Sequence, residues 1–185
     1  MLYLGHETWK IHGDFPELCL LLFVVCYAGD DPMMNEMREI YEDLILDHNR
    51  SPRNYPKKPA GANHSSRGYN PYCGDEFRVH LKIEDGVIKD VGFEGGGCAI
   101  STASASLMTE AIKGKTVIEV EDLFKDVHEA FTSQKEPTAE SSRLLGKLAL
   151  LISVKEFPMR VKCATLAWHT MHAAIHEGKE TVCTE

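Results

Sequence analysis

The strongest constraint on the fold of this chain is an alternation of apolar and polar side chains within residues 77–93. Every second residue in its first half is apolar, namely Phe77, Val79, Leu81 and Ile83. Residues 84–86 (Glu-Asp-Gly) indicate a turn, and a second strand comes after it with Val87, Val91 and Phe93 on one side. A period of two is typical of a strand with one buried face. The pattern predicts an antiparallel hairpin and places His80 on its exposed face.

Helical patterns surround this hairpin. Residues 34–49, about 99–113 and about 160–176 each have helical spacing, and Thr116 is placed as the N-cap of a further helix. Residues 138–157 continue helically up to Pro158, with Leu144, Leu145, Leu148 and Leu151 on one face. The first helix is expected to bury Met37, Ile40, Tyr41, Leu44 and Ile45, and the last is expected to bury Trp168 and Met171. We therefore expect an α+β fold, a small antiparallel sheet packed with helices.

Charge limits the partners of the chain. It has 185 residues and a net charge of −8, which fits one domain and argues against nucleic acid as the main partner. The segment from His48 to Gly74 contains no acidic residue but five basic ones: Arg50, Arg53, Lys57, Lys58 and Arg67. This stretch is either a solvated loop or a docking surface for an acidic partner protein.

The first 32 residues do not match the pattern of the rest of the chain. The apolar run 18–29 is too short for a membrane span, and Asp14 and Glu17 oppose the single lysine before it, so it makes a poor signal peptide. We expect residues 1–32 to be an extension that arises from a misassigned start codon, or else a membrane-associated or partner-binding segment. We expect residues 33–178 to form the domain and 179–185 a tail, with the protein in the cytoplasm and no membrane partner.

Six cysteines are too few for a disulfide framework, and none forms a close CxxC pair. Cys73 lies in a turn next to Asp75, whereas Cys98 and Cys163 fall at predicted helix starts, where the helix dipole is expected to lower a thiol pKa. These four residues offer three sulfurs and one oxygen, enough for a tetrahedral metal site. Scattered core cysteines, or a reactive thiol at Cys73, are the alternatives that spacing leaves open.

Three segments around these cysteines resemble the signature segments of a known family. They are NPYCGD at 70–75, GGGCAIS at 95–101 and RVKCATLAWHT at 160–170. Together they resemble the IscU/NifU-like family of iron–sulfur cluster assembly, over about residues 33–177. Lys162 stands where the IscU branch has a histidine, and the segment between Cys98 and Cys163 is longer than in that branch. In both of these features the chain is similar to the SufU branch.

The resemblance implies a function and a site. It implies a zinc-dependent sulfur acceptor that takes persulfide sulfur from a SufS-like cysteine desulfurase and passes it to a downstream cluster scaffold. Zinc would be held by Cys73, Asp75, Cys98 and Cys163, with Cys73 as the sulfur acceptor. A carboxylate among thiolates is a more exchangeable zinc ligand, so Asp75 would keep the site labile, while Arg160 and Lys162 would offset its negative charge.

The same residues also allow a different role. The rival function is a scaffold on which a [2Fe–2S] cluster is assembled, against which Lys162 argues because protonated lysine is a poor ligand. A zinc hydrolase would need a general-base motif that the sequence lacks. His169, His172 and His176 share one face of the last helix, and we interpret them as a solvated face, with a second metal site as the alternative.

Overall fold

The structure, a computed structural model, describes residues 32–133, 145–176 and 181–184. The expected extension 1–32 therefore lies outside the described residues except for Pro32, as do Leu144 and residues 179, 180 and 185 of the expected tail. The chain divides into two units, residues 1–39 and residues 40–185. Of the first, only residues 32–39 are described, and they are helical. The sheet, the later helices and the candidate sites all belong to the second unit.

The described elements form a four-stranded mixed sheet packed with helices, which confirms the α+β prediction. The strand order is β3-β2-β1-β4, antiparallel except for the parallel pair β1–β4. None of the helices in the described ranges has the length and apolar content to cross a bilayer. In chain order the elements are α1 (Pro32–Arg50), β1 (His64–Asn70), β2 (Asp75–Glu84), β3 (Val87–Gly96), α2 (Ala99–Ile112), α3 (Val117–Thr132), the 3₁₀ helix η1 (Gly146–Glu156), α4 (Pro158–Ile175) and β4 (Val182–Cys183).

The predicted hairpin is β2–β3, and its buried face is the predicted one for most of its length. Fully buried side chains on this face are Phe77, Val79, Leu81, Val91 and Phe93. The register shifts between Lys82 and Ile83, so Ile88 rather than Val87 is fully buried at the turn end. A β-bulge changes which face a residue points to, and simple alternation does not predict it.

Strand β1 was not predicted from the sequence, where it lies within the stretch from His48 to Gly74 that was interpreted as a solvated loop or a docking surface. Its core-facing residues are small or polar: Ser66, Gly68 and Asn70. A Cβ at Gly68 would collide with Oγ1 of Thr170 on α4, so glycine is what lets this strand approach the helix. An apolar pattern cannot reveal a strand whose buried face carries no large apolar side chain.

The described helices lie where the sequence predicts helical structure, with differences in detail. Thr116 caps α3 in a capping box with Glu119, and Trp168 and Met171 are fully buried in α4. Residues 146–156 form a 3₁₀ helix rather than the expected α-helix, before Pro158 opens α4. On α1, Ile45 is buried but Ile40 is 45% exposed, which corrects the expected apolar face.

His80 is a further correction, because its side chain is buried rather than exposed. Its Nε2 lies 3.1 Å from Oε1 of Glu94. The cross-strand partner of His80 is Gly92, and the backbone of Lys57 lies directly against that glycine. Alternation predicts the face of a strand that a residue occupies, but not what lies over that face.

Candidate metal centre

The turn between β1 and β2 presents Cys73. Asn70 and Asp75 are the last register pair of the two strands, and the backbone N–H of Gly74 donates to the carbonyl oxygen of Asn70 at 2.9 Å. Gly74 has φ +71, a left-handed conformation that glycine adopts without strain. The Asn70 side chain accepts from the backbone N–H of Tyr72 at 3.1 Å. These contacts fix the turn and leave Cys73 exposed at its tip.

Asp75 is buried at the base of this turn, 1% exposed. Its Oδ1 accepts a 2.8 Å hydrogen bond from the backbone N–H of Cys98, which fixes the carboxylate. Its Oδ2 is buried and has no hydrogen-bond partner within the described residues. An unpartnered buried carboxylate oxygen is costly, and a cation is the natural partner for it.

Cys163 supplies the second sulfur and is buried. It lies in the second turn of α4 rather than in the expected first turn, because the helix already begins at Pro158. Its Sγ is 3.2 Å from Sγ of Cys73 and 3.4 Å from Nδ2 of Asn70. The ligand atoms of Cys73, Asp75 and Cys163 all lie within 4.8 Å of one another, so one ion could contact all three.

Cys98 lies beside this compact group rather than within it. It is the N-cap of α2, where its Sγ accepts from the backbone N–H of Ser101 at 3.4 Å. Its thiol also interacts with that of Cys163, and its backbone N–H holds Asp75. The structure therefore brings all four predicted residues to one place, three in direct reach of one another and the fourth adjoining them.

The expected lowering of the thiol pKa values is wrong. Burial raises the pKa of the Cys98 thiol, and the hydrogen bond from the N–H of Ser101 offsets this only in part. Burial also raises the pKa of Cys163, and its contacts with Cys73 and Asp75 raise it further. Desolvation and neighbouring acidic groups thus outweigh the helix dipole. These thiols would lose their protons on binding a cation, as metal-ligating cysteines do.

The donor set fits zinc or an iron–sulfur cluster. Three cysteine sulfurs and one carboxylate provide four ligands, and soft thiolates favour Zn²⁺ or iron–sulfur clusters over hard cations. Oδ2 of Asp75 has no hydrogen-bond partner among the described residues, and a bound cation would satisfy it. The residues present therefore fit such a group.

The basic residues near the site are engaged with aromatic rings. Nζ of Lys162 lies 4.2 Å from the ring centroid of Tyr72, and the guanidinium of Arg160 lies 5.8 Å from that of Phe157. The charge compensation expected from Arg160 and Lys162 stays a prediction. Three large apolar residues near Cys73 or Cys163 in the sequence are exposed: Tyr72 by 58%, Phe157 by 56% and Met159 by 49%.

Asn70 is a site residue that the sequence reasoning missed. It is fully buried, shapes the Cys73 turn through its side chain and backbone, and donates to Cys163. The available signal was its position before Pro71, since an asparagine there often forms such a side-chain turn.

The basic stretch from Arg50 to Arg67 is largely paired within the fold. Lys57 contacts Asp90 at 2.7 Å, Arg67 contacts Glu76 at 2.8 Å, and Arg53 pairs with Asp47. Lys58 is exposed. Any docking surface here is thus smaller than the sequence alone indicates.

Comparison with known proteins identifies relatives with this fold. Residues 40–164 match the model of the NifU-like N-terminal domain. The chain is 40% identical to the iron–sulfur cluster assembly scaffold protein IscU of Thermotoga maritima, across 74% of this chain and 92% of that protein. It is 38% identical to the zinc-dependent sulfurtransferase SufU of Bacillus subtilis, across 74% and 89%.

A solved structure of a related protein has a similar fold. A candidate iron–sulfur cluster assembly scaffold for the SUF system, from the thermophile Fervidobacterium islandicum AW-1, superposes with a TM-score of 0.65 at 34% identity, over 71% of this chain and 93% of that one. The chain belongs to the NifU-like N-terminal domain family, the IscU and SufU proteins of iron–sulfur cluster assembly.

Proposed function

We propose that this protein is a zinc-dependent sulfurtransferase of the SufU kind, which accepts sulfur on Cys73 from a cysteine desulfurase. The observation that carries the proposal is the buried, unpartnered Oδ2 of Asp75 beside the close sulfurs of Cys73 and Cys163. Cys73, Asp75, Cys98 and Cys163 would hold the zinc ion. When bound, zinc would supply the positive charge that keeps the thiols deprotonated and protects them from oxidation.

Cys73 is suited to accept the sulfur because it is exposed at the tip of a short turn. Its thiolate attacks the outer sulfur of the persulfide on the desulfurase. A new S–S bond forms at Cys73 while the S–S bond of the donor breaks, and the donor cysteine leaves as a thiolate. No external oxidant is needed, because the sulfane sulfur moves with its oxidation state unchanged.

Cys98 and Cys163 would retain the zinc ion while Cys73 reacts. Cys163 is buried in α4 and Cys98 caps α2, so both are positioned by helices. Asp75 is a harder, weaker ligand than a thiolate. Its Oδ1 accepts a hydrogen bond from the backbone N–H of Cys98, which would keep the carboxylate beside the site as it releases and rebinds while Cys73 is loaded.

The rim of the site fits a protein partner. Tyr72 directly precedes Cys73, and Phe157 and Met159 lie at the start of α4, the helix that carries Cys163. All three side chains are exposed, and Lys162 and Arg160 stack on the rings of Tyr72 and Phe157. Aromatic and methionine side chains with arginine are typical of interface centres. A SufS-like desulfurase and a downstream cluster scaffold are the partners we propose. The four described free cysteines suit a reducing compartment such as the cytoplasm.

A scaffold for a [2Fe–2S] cluster is the second candidate. The 40% identity to a protein named as an IscU scaffold favours it, and the same four residues would bind the cluster. Lys162 argues against it, since its ammonium group is engaged over the Tyr72 ring and protonated lysine has no lone pair to offer a metal.

Elemental analysis with a visible spectrum tests the proposal on protein purified without air. We expect about one zinc per chain and no colour. Incubation with a desulfurase and cysteine should then place sulfur on Cys73, detected by mass spectrometry, while Cys73→Ser should carry none. Stoichiometric iron and sulfide with stable visible absorbance would overturn the proposal in favour of the scaffold.

A further inference from the structure

A second group of metal-ligating side chains lies between α3 and α4. Nε2 of His172 is 3.2 Å from Oε2 of Glu121, and Nε2 of His176 is 2.9 Å from Oε1 of the same carboxylate. All three ligand atoms lie within 4.8 Å of one another. The sequence indicated that the histidine face of α4 is solvated. The structure corrects this, because Glu121 on the neighbouring helix contacts His172 and His176 on that face.

We propose that Glu121, His172 and His176 bind a divalent transition-metal ion, independently of the thiolate site. Two histidines at i and i+4 on one helix face are a recurrent metal-binding spacing. Imidazole suits zinc, nickel, copper and iron, and two histidines with one carboxylate form a common three-ligand set for such ions.

The spacing of the ligand atoms supports an ion between them. Ligands at about 2.1 Å from a metal lie about 3.0–3.4 Å apart, from simple octahedral or tetrahedral geometry. The two contacts from His172 and His176 to Glu121 fall close to that range. Small side-chain rotations would suffice to seat the ion.

The ligands are held in place by the surrounding packing. The ring of Phe124 stacks on that of His172, with centroids 4.4 Å apart and planes 20° apart, which restricts the imidazole. Lys125, one turn along α3 from Glu121, is paired with Asp122 at 2.9 Å. The side chains of His172 and His176 are 36% and 58% exposed, so solvent would complete the coordination and the ion would exchange readily.

This site is too far from the cysteines to share their metal. Cys163 and His172 lie nine residues apart on α4, which corresponds to about 14 Å along a helix axis. Metal binding at Glu121, His172 and His176 can therefore be tested separately from metal binding at the thiolate site.

Nickel binding to the full chain, carrying whatever metal it holds as purified, tests the proposal. Equilibrium dialysis against Ni²⁺, with elemental analysis, should find about one nickel per chain with the original metal retained. His176→Gln and Glu121→Gln should each weaken nickel binding about tenfold or more, and leave the thiolate-site metal unchanged. His64→Gln, on β1, is the matched control and should bind nickel like the parent.

His176 is the more exposed histidine, so His176→Gln should fold like the parent, which circular dichroism would check. The proposal is overturned if the parent binds no nickel in addition to its original metal. It is equally overturned if folded His176→Gln and Glu121→Gln bind nickel as the parent does. In either case the group would be only a hydrogen-bonded clamp between α3 and α4.

Discussion

The backbone N–H of Cys98 donates a 2.8 Å hydrogen bond to Oδ1 of Asp75, and leaves Oδ2 of that buried carboxylate unpartnered. One candidate metal ligand thus orients another through its main chain. This hydrogen bond couples the loop after β3, which carries Cys98, to the turn before β2. A substitution in either segment should therefore shift the other.

The first prediction concerns the labile ligand. Asp75→Ala should retain part of the zinc but transfer sulfur at least about tenfold more slowly, because the exchangeable ligand is lost while the thiols remain. Zinc content and the rate of persulfide transfer would be measured together. Glu76→Ala, at the exposed neighbouring residue, is the control and should resemble the parent. Parental transfer by Asp75→Ala would refute the labile-ligand argument.

The second prediction concerns the anchored cysteines. Cys98→Ala and Cys163→Ala should lose zinc and unfold at lower temperature, because metal binding energy is also folding energy. At free zinc about 100 times the dissociation constant, this contribution is about 2.7 kcal/mol. Thermal unfolding with and without a chelator measures it. Cys183→Ala, at an exposed cysteine on β4, should keep the full effect of zinc. A chelator-sensitive Tm in Cys163→Ala would contradict the assignment.

The third prediction uses three consecutive glycines. A Cβ at Gly97 would lie 3.0 Å from the side chain of Asp75, so Gly97→Ala should displace the carboxylate and weaken zinc binding. Gly95 has φ +118 and a Cβ there would collide with the carbonyl of Glu76, so Gly95→Ala should destabilise the whole fold. A Cβ at Gly96 would lie in open space, so Gly96→Ala should change neither zinc binding nor stability. Zinc titration and chemical denaturation of all three variants would be compared; equal zinc affinity of the Gly96 and Gly97 variants would count against the role of Asp75.

The fourth prediction concerns pH and stability. Burial tends to raise the pKa of Asp90, but hydrogen bonds from Lys113 and Lys57 outweigh it and lower the value to about 2. A carboxyl pKa below its unfolded value stabilises the fold above that value, and the effect is lost as the pH falls through the folded pKa. The free energy of unfolding of Asp90→Asn should therefore be roughly 2 kcal/mol lower than that of the parent near neutral pH. This difference should shrink between about pH 4 and pH 2. Urea unfolding at several pH values measures it, and a pH-independent difference would exclude this cause.

The fifth prediction concerns the encounter with the desulfurase. Lys58→Glu should slow association, and added salt should slow the parent in the same way, because exposed charges steer encounter and are screened. Lys57→Glu is the contrasting variant: its lysine pairs with Asp90, so it should mainly lower stability. Stopped-flow association rates at low and physiological salt provide the measurement. Rates independent of ionic strength would show that the basic stretch has no steering role.

The sequence by itself determined the hairpin, the helices around it and the four candidate ligands. Alternation over Phe77–Leu81 marked the buried face, and Thr116 marked a helix start, since these signals are local. The candidate ligands were identifiable because the three cysteine-containing segments resemble the signature segments of a known family. The sequence did not show how closely the four side chains approach one another.

Only the tertiary structure decided the rest. Strand β1 packs through Ser66 and Gly68, whose fit depends on Thr170 far along the chain, so no local pattern marks it. The thiol pKa values were mispredicted because burial depends on what packs over a residue, whereas the helix dipole is visible locally. The roles of Asn70 at Cys163 and of Glu121 between two histidines likewise arise from contacts between residues distant in sequence, which only folding brings together.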